Sequence, residues 1–135
     1  INNDKKNKLM KNQSFKILVM DDDKDILDVI NEYLSNLGHV IELAKDGEIA
    51  IRKYSEALKT DRPFDLVILD LTVAGGMGGK DCIIQLIKLD PNIKAVASSG
   101  YSNDEVMSHF QKYGFFDILP KPYTLDAINQ IIQKL

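Results

Sequence analysis

Lys16-Ile17-Leu18-Val19-Met20-Asp21-Asp22-Asp23 decides the fold of this chain. Four consecutive apolar residues run straight into three carboxylates. A continuous apolar run, rather than an alternating one, marks a strand buried on both faces, and that is the habit of parallel sheets. The abrupt change to acid places the end of the strand at a polar edge.

Working outward, Phe15 opens the patterned part of the chain. Lys24 to Leu37 places Ile26, Ile30, Tyr33, Leu34 and Leu37 at helical spacing, with Gly38 as a stop. Val40 to Leu43 reads as a second strand, less buried than the first. Asp46-Gly47 reads as a turn, and Ile49, Ala50, Tyr54, Ala57 and Leu58 outline a second helix. Pro63 breaks the chain before a third strand, Leu66 to Leu69, which ends at Asp70. The Gly-rich stretch Gly75 to Gly79 leads into a helix carrying Ile83, Ile84, Leu86 and Ile87. Pro91-Asn92 turns into a fourth strand, Ile93 to Ser98. Asn103 is the expected cap of a fourth helix with Val106, Met107 and Phe110. Phe116 to Leu119 is the fifth strand, ending at Lys121-Pro122, and Leu125, Ile128, Ile131, Ile132 and Leu135 make the last helix. Five β-α units in succession imply an α/β fold, because parallel strands need helical crossovers. The expected arrangement is a doubly wound, flavodoxin-like (βα)5 parallel sheet of five strands in the order 2-1-3-4-5.

Ligand sites in such sheets lie beyond the carboxyl ends of the strands. Asp21, Asp22 and Asp23 end strand one, Asp70 ends strand three, Ser98-Ser99-Gly100 ends strand four and Lys121 follows strand five. Carboxylates gathered at one edge repel one another and need a cation. Oxygen ligands without a His or Cys cluster favour Mg²⁺ over zinc. A carboxylate can also serve as a phosphoryl acceptor, in a reaction governed by positioning and charge neutralisation. Of the two adjacent serines only one can face the site, since neighbouring strand residues point to opposite faces. Asp23 reads as a helix cap.

These motifs, in this order, closely resemble the receiver domain of two-component response regulators, over about Phe15 to Leu135. The resemblance implies that Asp70 accepts the phosphoryl group of a phosphohistidine. It implies Mg²⁺ held by Asp21, Asp22, Asp70 and the backbone carbonyl of Thr72. It makes Ser99 the switch hydroxyl and Lys121 the amine of the site, with a cis Lys121-Pro122 bond. The loop Asp70-Leu71-Thr72-Val73-Ala74-Gly75-Gly76-Met77-Gly78-Gly79-Lys80, with Ser98-Ser99-Gly100-Tyr101-Ser102 and Leu119-Pro120-Lys121-Pro122, resembles receivers at the C-terminus of hybrid sensor histidine kinases. Ala74 stands where such loops carry Pro. Ile118 stands where many receivers carry an aromatic switch residue, so a stroke made by an inward-swinging ring is not implied. The partners implied are a histidine kinase core or a histidine phosphotransfer domain, with a weak homodimer as a further expectation. Output is implied on the face of the fourth helix, fifth strand and fifth helix.

Composition agrees with this reading. The 135 residues fit one domain, preceded by an Asn- and Lys-rich stretch, residues 1–14, read as a linker or tail. A formal charge of -3 argues against direct nucleic-acid binding, which needs a basic face. Cys82 is alone, so no internal disulfide can form, and a cytoplasmic setting is expected, with any membrane anchor in a parent chain. No apolar run approaches the roughly 20 residues of a membrane span, and no signal-peptide pattern is present. The start at Ile1 and the lack of an effector domain after Leu135 are read as a piece of a longer protein. Two other functions compete. An Asp-nucleophile phosphatase of the haloacid-dehalogenase type resembles Asp-x-Asp-x-Thr/Val, but Thr72 occupies the place of its second Asp. A degenerate receiver serving only as a binding module is opposed by the complete acidic set. Gly79-Lys80-Asp81 lacks the Gly-Lys-Ser/Thr ending of a P-loop. His109 and His39 read as a surface and a structural histidine, and Cys82 as a core residue.

Overall fold

A computed structural model of the chain describes residues 13–100 and 104–135. Its five strands are β1 (Lys16–Met20), β2 (Val40–Ala44), β3 (Leu66–Asp70), β4 (Ala95–Ser99) and β5 (Asp117–Pro120). The helices are α1 (Lys24–Asn36), α2 (Gly47–Leu58), α3 (Gly79–Leu89), α4 (Glu105–Ser108) and α5 (Leu125–Gln133). All strand pairs are parallel and the order is β2-β1-β3-β4-β5, as the alternation of elements implies.

The central strands are buried on both faces. Ile17, Leu18, Val19 and Met20 have no exposed surface, and every residue of β3 and β4 is buried. Alternate side chains then divide between two cores. Ile17, Val19, Ile68 and Val96 pack with Leu27, Ile30 and Leu34 of α1 and with Ile128 and Ile131 of α5. Leu18, Met20, Val67, Leu69 and Ala97 pack under α2, α3 and α4. Each fully buried aliphatic side chain is worth roughly 1.5–3 kcal/mol relative to exposure. The edge strand β2 is only partly buried.

Every α-helix start but that of α3, which follows Gly78, is fixed by a short side chain that occupies orphan backbone donors. Asp23 accepts from Asp25 N–H, Asp46 from Ile49 N–H and Thr124 from Ala127 N–H. Asp46-Gly47, expected as a turn, is the cap and first residue of α2. Gly38 after α1 adopts a φ of 94°, the left-handed conformation that glycine tolerates.

Three boundaries differ from expectation. β4 begins at Ala95, because Asp90 holds Asn92 N–H through its carboxylate and Ile93 N–H through its carbonyl, so the Pro91-Asn92 turn extends through Ile93. β5 pairs one residue later than expected, at Asp117 to Pro120, although Phe116 N–H already reaches Ala95 O at 2.7 Å. The fourth helix is one turn long. His109 leaves helical geometry (φ -129°, ψ 42°), and Phe110–Tyr113 continue as a 3₁₀ turn closed by Gly114 at φ 94°. That tighter winding eclipses i and i+3, so Phe110 and Tyr113 still share the core-facing side. Asn103, the expected cap, lies outside the described residues. The side chain that caps α4 is Asp104, which accepts from Val106 N–H at 2.8 Å. Ile84 and Leu125 fall off the core face and are exposed.

Candidate functional site

Parallel pairing brings four strand ends to one edge. β1 and β3 are neighbours whose chains leave toward opposite ends of the sheet, and the crevice at such a switch point is where ligands bind. Asp21 stands one residue beyond β1, Asp70 is the last residue of β3, Ser99 the last of β4, and Lys121 follows β5. Asp21 is fully buried and Asp70 nearly so, whereas Asp22 is exposed at the mouth. One oxygen from each of Asp21, Asp22 and Asp70 lies within 4.8 Å of the others. Asp23 turns away to cap α1, and its N–H donates to Asp21 Oδ1 at 2.9 Å.

Lys121 enters this cluster from the far side. Its Nζ is 2.8 Å from Asp21 Oδ2 and 3.3 Å from Asp70 Oδ1. The Asp21 contact is an ion pair, and buried Oδ2 has no donor besides that ammonium among the described residues. Burial, then the charge of Asp21, push the Asp70 carboxyl up to about 6, while Lys121 and the Thr72 N–H pull the other way. Burial opposes the Lys121 charge, but the contact with Asp21 and the charge of Asp70 outweigh it and hold the ammonium above the usual lysine value. A buried carboxylate oxygen with no donor besides one ammonium, beside two further carboxylates, suits a hard cation that takes oxygen ligands, so the donor set fits Mg²⁺.

The loop after β3 is tied to the cluster at two points. Thr72 N–H donates to Asp70 Oδ1 at 3.4 Å, and Ala74 N–H to Asp22 Oδ2 at 3.1 Å. The second bond was not legible in sequence, since it joins residues 52 apart through a backbone donor. Gly78 explains why the loop is glycine-rich at its end: a Cβ there would sit 2.5 Å from the Leu71 carbonyl oxygen. Ser98 and Ser99 part company as adjacent strand residues must. The Ser98 hydroxyl shares a 2.5 Å hydrogen bond with the Tyr123 hydroxyl on the α1–α5 side, while Ser99 ends β4 on the other register and is 3% exposed. The Ser98–Tyr123 pair was missed at the sequence level. The available signal was Ser98 itself, a hydroxyl in a buried register that demands a partner.

The remaining singled-out residues fall outside the cluster. His109 is exposed. His39 accepts Phe15 N–H on Nδ1 at 3.1 Å and stacks on the Phe15 ring, and burial lowers its pKa. Cys82 is fully buried, with its thiol pushed up to about 12 by burial and by Asp46. Ile118 is partly buried against the α2–α4 core. Lys121-Pro122 is cis. No helix among the described residues is long and apolar enough to cross a membrane.

A doubly wound five-stranded sheet with buried carboxylates, a lysine and a hydroxyl at its carboxyl edge is the build of a receiver domain. The sequence model of the response regulator receiver domain matches residues 17–133. The chain therefore belongs to the response regulator receiver family and is a receiver domain of two-component signalling. It is 27% identical over 119 residues to sporulation initiation phosphotransferase F of Bacillus subtilis, covering 88% of this chain and 91% of that protein. The crystal structure of a response regulator receiver domain protein from Clostridium thermocellum superposes with a TM-score of 0.80 at 26% identity, covering 89% of this chain and 92% of that one. The receiver domain of sensor histidine kinase PA1611 from Pseudomonas aeruginosa PAO1, solved with a magnesium ion coordinated in its active site cleft, shares the fold at a TM-score of 0.76 and 19% identity. That match covers 90% of this chain and 97% of the other. Some curated relatives are far longer: the chain spans 17% of transcription factor SKN7 from Chaetomium thermophilum and 47% of the transcriptional regulatory protein YrkP from Bacillus subtilis.

Proposed function

We propose that this receiver accepts a phosphoryl group onto Asp70 from a phosphohistidine carried by a histidine kinase core or a histidine phosphotransfer domain. The observation that carries the reading is the buried Asp70 carboxylate at the switch point, with Lys121 Nζ at 3.3 Å and the oxygens of Asp21 and Asp22 within 4.8 Å. Asp21, Asp22, Asp70 and the Thr72 carbonyl would hold Mg²⁺. When bound, the ion supplies charge neutralisation for the carboxylates and the incoming phosphoryl oxygens.

The chain's own groups divide the rest of the work. An Asp70 oxygen forms a bond to phosphorus as the P–N bond to the donor imidazole breaks, and the bonding pair leaves on that nitrogen. Burial at the base of the crevice keeps bulk water from Asp70. The Lys121 ammonium balances the charge that the phosphoryl group brings, about -1.5 to -2 at neutral pH. The Ser99 hydroxyl, at the end of β4, donates to a phosphoryl oxygen and draws β4 toward the modified Asp70. Residues 15–135 form the receiver and residues 1–14 a linker. The Gly75–Gly79 loop and the Ser98–Ser102 segment support a hybrid sensor histidine kinase as the parent, with the domain facing the cytoplasm.

The reading is tested with a phosphohistidine donor. Stoichiometric transfer to Asp70, without sustained turnover of a small phosphomonoester, is expected. Robust multiple turnover would replace it with the phosphatase reading.

A further inference from the structure

Lys121 reaches the carboxylates from a short turn between β5 and α5, and something must hold that turn in place. Its backbone N–H donates to Ser99 O at 2.9 Å, which fixes the start. Thr124 caps α5 and fixes the end. Between them Tyr123 folds its ring against the α1–α5 core and shares its hydroxyl's hydrogen bond with Ser98, which has no exposed surface. Ser98 is itself anchored to the acceptor strand. It lies opposite Asp70 in the β3–β4 register, and its carbonyl takes Leu71 N–H at 2.9 Å. The turn that presents Lys121 is therefore stapled to the end of β4 twice, once through backbone at Ser99 and once through side chains at Ser98. Burial pushes the Tyr123 phenol up to about 12, so the hydroxyl keeps its proton across the working range.

We propose that Tyr123 is a positioning residue for the acceptor site: bonded to Ser98, it holds the β5–α5 turn so that the Lys121 ammonium stands between Asp21 and Asp70. A phenylalanine would fill the same apolar space, so the hydroxyl is the part assigned this role. The consequence for phosphorylation rests on the function proposed above; the placement of Lys121 does not.

Two measurements on the full chain separate these. The first is the side-chain ammonium signal of Lys121 in ¹⁵N NMR of the metal-free protein. Tyr123→Phe and Ser98→Ala are each expected to shift and broaden it, while Lys134, paired with Asp117 far from the turn, stays unchanged. An unmoved Lys121 signal in both variants would overturn the proposal. The second is the rate of Asp70 phosphorylation by acetyl phosphate at saturating Mg²⁺. Tyr123→Phe is expected to lower it about threefold to tenfold, a fraction of the roughly 100-fold that a 1 Å misplacement of a reacting group can cost. Ser98→Ala should lower it equally and the double variant no further. In a Lys121→Ala background Tyr123→Phe should have no effect, an outcome that a merely structural role would not give. An equal fractional loss in that background would overturn the proposal. Failure of the unaltered chain to be phosphorylated, with the Lys121 signal moved as expected, would instead overturn the acceptor reading and leave the positioning role standing.

Discussion

Lys121 holds together groups that would otherwise repel. Its ammonium touches two buried carboxylates at once, and this balance lets Asp21 and Asp70 sit within the same crevice. Ammonium and metal ion do not share a site, since like charges repel. Lys121→Ala is therefore expected to lower the phosphorylation rate roughly 100- to 1000-fold, the usual scale for losing one charge-stabilising donor. Its Mg²⁺ affinity, read by titration, should stay the same or rise. A large loss of Mg²⁺ affinity would contradict this division of roles. Cys82 illustrates the opposite case, a reactive residue type made inert by its surroundings. Its thiol is fully buried, donates weakly to Gly47 O at 3.6 Å and titrates at about 12. Thiolate is the reactive form, so Cys82 should resist alkylation at pH about 8 in the folded chain and react once the chain is unfolded. Rapid alkylation of folded protein would show that α3 opens readily.

At the scale of elements, the loop from Asp70 to α3 links the acidic cluster to the fold. Gly78 is pressed against the Leu71 carbonyl, in the same loop whose Thr72 and Ala74 N–H groups donate to Asp70 and Asp22. Gly78→Ala must push backbone aside and is expected to cost about 1–3 kcal/mol in denaturant unfolding, the range for overpacking a tight site. A weakened Mg²⁺ site should accompany the loss. An unchanged unfolding midpoint would mean that the loop relaxes freely. The elements themselves were largely legible in sequence, because β1 and β3 are continuous apolar runs and the 3.6-residue spacing is strong in α1 and α5. What pattern could not supply was local hydrogen bonding. Asp90 captures Asn92 and Ile93 and delays β4, and the break at His109 divides a helical pattern into one α-turn and one 3₁₀ turn. Both outcomes preserve the apolar spacing on which the sequence reading rests, so spacing alone could not reveal them.

For the whole molecule, strand order explains why residues as distant as Asp21, Asp70, Ser99 and Lys121 meet. Each ends a strand or follows one, all strands point the same way, and the order 2-1-3-4-5 places the crevice between β1 and β3. This much follows from sequence once the alternation of elements is recognised. The side-chain bonds that join strand ends to one another do not: Ala74 to Asp22 and Ser98 to Tyr123 span the fold and have no short-range signature. Ile118, partly buried against the α2–α4 core, stands at the position where a swinging aromatic ring would be expected. The central claim is that Asp70 is the phosphoacceptor. Its most direct test is intact-mass and peptide mapping of the chain after incubation with Mg²⁺ and acetyl phosphate, alongside Asp70→Ala. The account predicts one added phosphoryl group on Asp70 and none on the folded Asp70→Ala variant. Labelling that persists in that variant, at another residue, would contradict it.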